Sequence, residues 1–275
     1  MHLFENRTAV VTGGAAGIGR ALCERLAEFG ARVVVVDING HGAEQVAALI
    51  RQRGAHAEAA QADVSNATQV EAVVSDIASK HGHLDFMFNN AAVAAVGELR
   101  DGNIEDFRRV VDVNLFGVVH GTMSAYRVML RQGFGHIVNI SSVTGLMPTP
   151  ILSAYSTTKW AIVGFSRAIR LEAAALGVRV SVACPGLVDT QIGERNAYWN
   201  VSKDDYLAWL PWQRWMLSPA KAAHAILRGT ARNKDIIVFP FSASVAWRVC
   251  RIWPAFFTPL LRRTLKGFRE LRLKP

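Results

Sequence analysis

Thr8-Ala9-Val10-Val11-Thr12-Gly13-Gly14-Ala15-Ala16-Gly17-Ile18-Gly19 opens the stretch that decides the fold, and it runs on through Arg20-Ala21-Leu22-Cys23-Glu24-Arg25-Leu26-Ala27-Glu28-Phe29. The first five residues read as a short apolar strand. A turn rich in glycine and alanine follows at once, and from Arg20 the apolar residues recur with helical period. Gly30 fits a helix stop. Arg32-Val33-Val34-Val35-Val36-Asp37 is a β-branched run, the pattern of a strand buried on both faces. Strand, glycine turn, helix and strand make one βαβ unit. Glycines between a strand and a helix let the backbone turn tightly and approach a pyrophosphate at the helix N-terminus. The spacing here, Gly13-x3-Gly17-x-Gly19, differs from the commoner G-x-G-x-x-G order.

Outward from this unit the alternation continues. A helical pattern over 43–53 leads to a weaker strand over 57–62, ending at Asp63-Val64. A helix over 67–80 leads to the strand 84–90, and a long helical region over 104–131 contains Asn114. Gly133-Phe134-Gly135 breaks that region before the strand 136–141. The helix that begins near Tyr155 runs to Leu176, with Gly177 as its stop. The strand 178–183 is ended by Pro185-Gly186, and 235–239 is the last strand. Seven strands alternating with helices predict an α/β fold: a single Rossmann-like doubly wound domain with a seven-stranded parallel sheet and helices on both faces. The expected domain spans 1–240, with a variable loop over 190–218, and 241–275 is a basic, aromatic extension.

Of 275 residues 51% are apolar and mean hydropathy is slightly positive, which supplies a large core and argues against disorder. The net charge of +9 is uneven. Ten bases and only two acids lie from Arg232 onward, so the body is nearly neutral and the excess belongs to the tail. A neutral body weakens any reading as a nucleic-acid binder. Cys23, Cys184 and Cys250 have no metal-like spacing, so no metal is expected and free thiols in a reducing compartment are. The polar start of the chain carries no apolar leader, and a cytoplasmic protein is expected.

The residues that carry chemistry lie further along. Tyr155 and Lys159 are four apart at a helix start and project from one face. A nearby ammonium favours phenolate and lowers a phenol's pKa. Ser142 precedes them at a strand end, and the trio can move a proton to or from a carbonyl or alcohol oxygen. Asp37, at the end of the second strand, can accept hydrogen bonds from ribose hydroxyls and repels a 2′-phosphate. No base lies in the glycine turn or in Ile38-Asn39-Gly40, which favours NAD over NADP.

Together, Thr12-Gly13-x3-Gly17-x-Gly19, Asp63-Val64, Asn89-Asn90-Ala91, Asn114, Ser142, Tyr155-x3-Lys159 and Pro185-Gly186 resemble the short-chain dehydrogenase/reductase family, in its order and spacing, from residue 8 to about 190. The resemblance implies hydride transfer between a nicotinamide cofactor and a carbinol carbon. It implies Tyr155 as general acid/base, Lys159 on the nicotinamide ribose, Ser142 on the substrate oxygen and Asn114 holding a water in a proton relay. Gly13, Gly17, Ile18 and Gly19 would cradle the cofactor, Asp63 and Val64 would face adenine, and Asn90 and Ala91 would line the cleft. Pro185, Val188 and Thr190 would bracket the nicotinamide. A thirteen-residue spacing to Tyr155 picks Ser142 over Ser141 as the family's serine. The chain departs from the family at Ala92, where glycine is frequent, and at Cys184, where asparagine is frequent. Cys184 reads as a small buried hydrophobe, or as a thiol sensitive to alkylation. The family also implies a homodimer or homotetramer through the helices bearing Asn114 and Tyr155. A rival reading is a non-catalytic dinucleotide sensor of the same fold, which would not need the intact Ser142, Tyr155 and Lys159 set.

The variable loop holds Tyr198, Trp199, Tyr206, Trp209, Trp212 and Trp215, with Leu207, Leu210 and Met216. Such surface beside a hydride site suits a bulky hydrophobic substrate, such as a steroid, a retinoid or a lipid-like alcohol or ketone. It equally suits rings that pack the loop onto the body or a second subunit. In the extension, Val245, Ala246, Val249, Ile252, Trp253 and Phe256 alternate with Ser244, Arg248 and Arg251, and Pro254 breaks the pattern. Basic residues among Trp, Phe and Leu fit a peripheral membrane contact. Packing over the cleft or on a partner subunit is the other reading.

Overall fold

The valines of the second strand alternate between two cores, and that alternation fixes the architecture. Val33 and Val35 join one apolar cluster, Val34 and Val36 the other, and none of the four is more than 2% exposed. A strand buried on both faces needs helices on both faces. The computed structural model describes residues 2–190, 196–210 and 216–272. In chain order its strands are β1 (Thr8–Thr12), β2 (Arg32–Asp37), β3 (Ala57–Gln61), β4 (Phe86–Asn89), β5 (Ala95–Val96), β6 (Gly135–Ile140), β7 (Val178–Pro185), β8 (Ala197–Tyr198) and β9 (Ile236–Phe239). Its helices are α1 (Gly17–Glu28), α2 (Gly40–Gln52), α3 (Ala67–His81), α4 (Ile104–Val111), α5 (Gly117–Gln132), α6 (Ser153–Ala173), α7 (Lys203–Trp209), α8 (Pro219–Ala231), α9 (Phe241–Ile252) and α10 (Thr258–Arg269).

Seven strands form one parallel sheet in the order β3-β2-β1-β4-β6-β7-β9. Leu22 and Leu26 of α1, Val46 and Ile50 of α2 and Ile226 of α8 cover one face. Val74 and Ile77 of α3, Met129 of α5 and Ala173 of α6 cover the other. The doubly wound arrangement is the one the sequence predicts. The chain runs outward from β1 to β3 and then restarts on the far side of β1 at β4. Ligands of such sheets bind in the crevice that this reversal opens at the strands' carboxyl ends.

Local differences from the sequence reading have physical causes. α2 begins three residues early because the Asn39 Oδ1 accepts from the Gly42 N–H at 3.0 Å and caps it. The long helix over 104–131 is two helices, α4 and α5, joined by a π-helical turn over Asp112–Phe116 that contains Asn114. β5 and β8 pair in parallel, Ala95 with Ala197 and Val96 with Tyr198, outside the main sheet. That small pairing pins the variable loop to the segment after β4. The extension forms α9 and α10, and α10 folds back so that Phe268 is fully buried beside Tyr206, Val96 and Val201.

Candidate active site

The site is assembled at the carboxyl ends of β1, β2, β4, β6 and β7. One cavity of about 1170 Å³ lies there, and every sequence-predicted site residue lines it except Gly19 and Asn114. Those lining residues are Gly13, Gly17, Ile18, Asp37, Asp63, Val64, Asn90, Ala91, Ser142, Tyr155, Lys159, Pro185, Val188 and Thr190.

At one end the glycine turn presents bare backbone. Gly17 has φ +54°, a left-handed conformation open to glycine. Gly19 faces inward: a Cβ there would stand 2.0 Å from the Gly13 carbonyl oxygen and 2.6 Å from Asn90 Nδ2. The N-terminus of α1 receives no side-chain cap, so its first N–H groups are left for an anion at the cavity wall. Thr12 and Asn90 lock the turn to β4. The Thr12 hydroxyl accepts from the Asn90 and Ala91 N–H groups at 2.9 and 3.2 Å, and Asn90 Nδ2 donates to the Thr12 carbonyl at 3.0 Å. Asp37 is 5% exposed, and its carboxylate accepts from the N–H groups of Ala15 at 3.1 Å and Asn39 at 3.0 Å. An uncapped helix start, an inward glycine cradle and a fixed carboxylate fit the pyrophosphate and adenosine ribose of a dinucleotide. Asp63 turns its carboxylate back on Ser65, and the Val64 carbonyl meets His120 Nδ1 at 2.9 Å.

At the other end lie the proton-handling groups. The Ser142 hydroxyl faces the Tyr155 phenol closely enough to lower its pKa, and it donates to the Pro185 carbonyl at 3.5 Å. It also accepts from the Thr144 N–H at 3.2 Å. The Ser141 hydroxyl instead donates to the Lys159 carbonyl at 2.8 Å, so the two adjacent serines have different partners. Lys159, 2% exposed, donates from Nζ to the Ile140 carbonyl at 2.9 Å and lies 5.3 Å from the centre of the Tyr155 ring. Burial dominates both groups. It pushes the Tyr155 phenol up to about 12, partly offset by the Ser142 hydroxyl. It pulls Lys159 down to about 8. Burial, not the neighbouring ammonium, therefore sets the direction of the phenol's shift, opposite to the lowering expected from the sequence.

Asn114 sits behind the cavity wall, fully buried. Its Oδ1 accepts from the Val93 N–H and its Nδ2 donates to the Val93 carbonyl, both at 2.8 Å, and to the Thr158 hydroxyl at 3.2 Å. Thr158 in turn donates to the Tyr155 carbonyl at 2.8 Å. Asn114 thus ties the π-turn to the segment after β4 and to the helix that carries Tyr155. Cys184 is a buried member of an apolar cluster with Val118, Ile162 and Val182, and burial pushes its thiol up to about 12. A thiol so placed is a poor nucleophile, and the alkylation reading loses its basis.

The aromatic loop divides. Trp199 is packing: its Nε1 donates to Asp106 at 2.9 Å, its ring fills the space beside Gly102, and its backbone and Cβ lie against Gly97. Trp209 meets Tyr206 at a tilt and Phe268 edge-on, outside the cavity. Tyr206, Leu207, Leu210 and Met216 line the cavity. Trp212 and Trp215 lie outside the described residues. Residues that the sequence reading missed include Thr12 as the tie between β1 and β4, and Asn196, whose Oδ1 accepts from the Ala94 N–H at 2.9 Å beside the cavity. Glu98 and Asp101, which hold Arg269 and Arg272 of the extension, were missed as well. Thr12 stood inside the quoted motif; the others carry no local signal.

Comparison with known proteins agrees with this geometry. The family model described as short chain dehydrogenase matches residues 7–200. A protein of Mycobacterium tuberculosis that carries an oxidoreductase name, SadH, is 32% identical over 272 residues, covering 98% of each chain. A 3-oxoacyl-[acyl-carrier-protein] reductase of Synechocystis is 34% identical over 216 residues, covering 78% of this chain and 85% of the other. A crystal structure of a short-chain dehydrogenase/reductase from Burkholderia phymatum in complex with NAD superposes with a TM-score of 0.83 at 28% identity, covering 91% of this chain and 95% of that one. With its parallel sheet, glycine turn and Ser142–Tyr155–Lys159 cluster in one cavity, the chain belongs to the short-chain dehydrogenase/reductase family of oxidoreductases.

Proposed function

We propose that this protein exchanges a hydride between NAD(H) and a secondary alcohol or ketone, or an aldehyde, with a bulky hydrophobic body. One observation carries the reading: Asp37 beside the glycine turn and Tyr155 beside Ser142 and Lys159 stand at two ends of a single cavity. Asp37 supports NAD over NADP, since a fixed carboxylate accepts from a ribose diol and repels a phosphate. The NAD complex of the Burkholderia phymatum relative points the same way.

When bound, the nicotinamide supplies or takes up the hydride. The chain handles the proton. Tyr155, kept neutral by burial, donates its phenolic proton to the carbonyl oxygen during reduction and recovers it during oxidation. Ser142 orients the phenol and donates to the same substrate oxygen when the phenolate forms. Lys159, held by the Ile140 carbonyl, stands where its ammonium favours that phenolate. Asn114 and Thr158 position the Tyr155 backbone. The substrate wall supports an apolar body: Ala94, Val96, Leu152, Leu207, Leu210 and Met216 face the cavity. Exposed Met123 on α5 and Trp160 and Leu171 on α6 support a homodimer or homotetramer through those helices.

The test is a panel of steroid, retinoid and long aliphatic alcohols and ketones, followed by NADH absorbance with NADPH in parallel. Turnover of apolar members with NADH is the expected result. Turnover confined to small sugars or hydroxy acids would remove the substrate class, and a preference for NADPH would remove the role given to Asp37.

A further inference from the structure

Between Asp235 and Glu270 the chain carries no acid and six bases: Arg248, Arg251, Arg262, Arg263, Lys266 and Arg269. Among the described residues only Arg269 of these is ion-paired, with Glu98. The same segment exposes large apolar side chains. Phe241 is 81% exposed, Ile252 85%, Trp253 61% and Phe256 55%.

Their arrangement is ordered. Phe241, Val245 and Ile252 recur along one side of α9, and all three are exposed. Ile252-Trp253-Pro254-Ala255-Phe256 makes the corner between α9 and α10, and every residue of it is exposed. The Trp253 and Phe256 rings lie 5.6 Å apart, and Phe256 meets Phe257 edge-on at 5.3 Å. Arg251 precedes the corner, and Leu260 and Arg262-Arg263 follow it. Soluble surfaces rarely present a contiguous aromatic and aliphatic tip of this kind without a binding role.

We propose that this corner docks on an anionic phospholipid bilayer, with Ile252, Trp253 and Phe256 among the headgroups and Arg251, Arg262 and Arg263 on lipid phosphates. Charge selects the occupant. A segment with bases and no acid of its own is complementary to an anionic surface. A second copy of the chain would bring the same positive charges face to face, which is unfavourable. Trp and Phe are the side chains suited to a membrane–water boundary, with an apolar body and, for Trp, a polar edge. Among the described residues no helix is long and apolar enough to cross a membrane, so the contact is peripheral. The other end of the segment reaches the cavity wall, since Phe268 of α10 packs against Tyr206 with ring centres 6.5 Å apart. α10, twelve residues long, thus links the docking corner to the substrate wall. The docking itself stands whether or not the hydride reading holds.

Flotation of the full chain with phosphatidylcholine vesicles, and with vesicles that also contain phosphatidylglycerol, tests this. The protein is expected to float with the anionic vesicles, to bind neutral ones about tenfold less, and to be released at about 1 M salt, where the Debye length is about 3 Å. Ile252→Ser/Trp253→Ser/Phe256→Ser and, separately, Arg262→Gln/Arg263→Gln should each lower the bound fraction about tenfold, while Leu176→Ser, exposed after the end of α6, leaves it unchanged. Unchanged melting temperature shows that each variant folds; if the triple change melts early, Trp253→Ser and Phe256→Ser are measured singly. Equal recovery with and without vesicles, or full binding by both sets of variants, overturns the proposal. A Trp253→Ser change that lowers the oligomeric mass but not lipid binding hands the corner to a second copy instead.

Discussion

The two ends of the cavity are built by different means. The cofactor end hangs on strand termini: the β1–α1 turn, Asp37 at the end of β2, and Asn90 after β4 are joined by hydrogen bonds between polar side chains and main-chain groups at those termini. The substrate end hangs on short segments far apart in sequence. β5 pairs with β8, and Phe268 of α10 wedges behind Tyr206. The first end is rigid because a sheet with two cores fixes where each strand stops. The second is set by one short strand pair and by side-chain contacts outside the main sheet, so it can change without disturbing that sheet. Chemistry is thus anchored where the fold is least adjustable, and substrate choice where it is most so.

Each end can be broken separately, and the largest effect should come from the chemistry. Tyr155→Phe removes one oxygen and little else. Turnover in single-turnover NADH oxidation should fall about 10³-fold while NADH affinity, measured by titration, is retained. A retained rate would sever the link between this tyrosine and the proton. Next in size is Gly19→Ala. Its Cβ would meet the Gly13 carbonyl at 2.0 Å, so the turn has to shift and NAD affinity should fall about 100-fold by calorimetry. Gly164→Ala, with nothing within 4 Å of its Cβ, is the matched control in α6 and should leave affinity unchanged.

A smaller effect should show in the pH dependence of stability. Lys159 titrates near 8 in the folded protein against an ordinary 10.5, so between those values the unfolded chain holds more protons. Stability should therefore rise with pH from about 8, by at most about 1.4 kcal/mol per pH unit from this group. Tyr155 acts in the opposite sense: its folded value of about 12 exceeds the ordinary 10, so above pH 10 it lowers stability as pH rises. Urea unfolding of the cofactor-free protein between pH 8 and 10 reads the lysine by difference, because Cys23 and Cys184, whose thiols burial pushes up, lower stability as pH rises past about 9 in both proteins. Lys159→Met should show the less positive slope, and identical slopes would mean that the lysine is not desolvated.

The same contrast explains what could be read from the chain. β-branched runs, helical period and the Gly13-x3-Gly17-x-Gly19 spacing are local patterns, and they place the sheet, the cavity and most of its cofactor end. Tyr155 and Lys159 are one helical turn apart, so their shared face is also a local fact. The π-turn at Asn114 is not local, because it is held by Val93 and Thr158 from other elements. β5 and β8 are two residues each and too short to show a period. Nothing in the aromatic loop tells Trp199, which packs, from Tyr206, which lines the cavity. The Tyr155 phenol was expected low from its neighbour alone; its burial, which reverses the direction, is a property of the whole fold.

The extension supplies the smallest predicted effect and the sharpest test of the division. Phe268 is fully buried against Tyr206 and Trp209, yet it lies beyond the sheet and touches no residue of the glycine turn. Arg269 holds Glu98 across 171 positions, with Nε and Nη2 on one carboxylate oxygen at 2.9 and 2.7 Å, and Arg272 holds Asp101. These pairs clasp α10 over the segment that follows β5. Phe268→Ala leaves a space behind Tyr206, so the ring can retreat and the wall slackens. The expected result is a fall in kcat/KM of about tenfold for an apolar substrate, carried mainly by KM, with NADH affinity unchanged. If NADH affinity falls in step, the two ends are one cooperative unit and the division fails. If kcat/KM is untouched, the wall is set by β5 and β8 alone and α10 serves only to carry the exposed corner at Trp253.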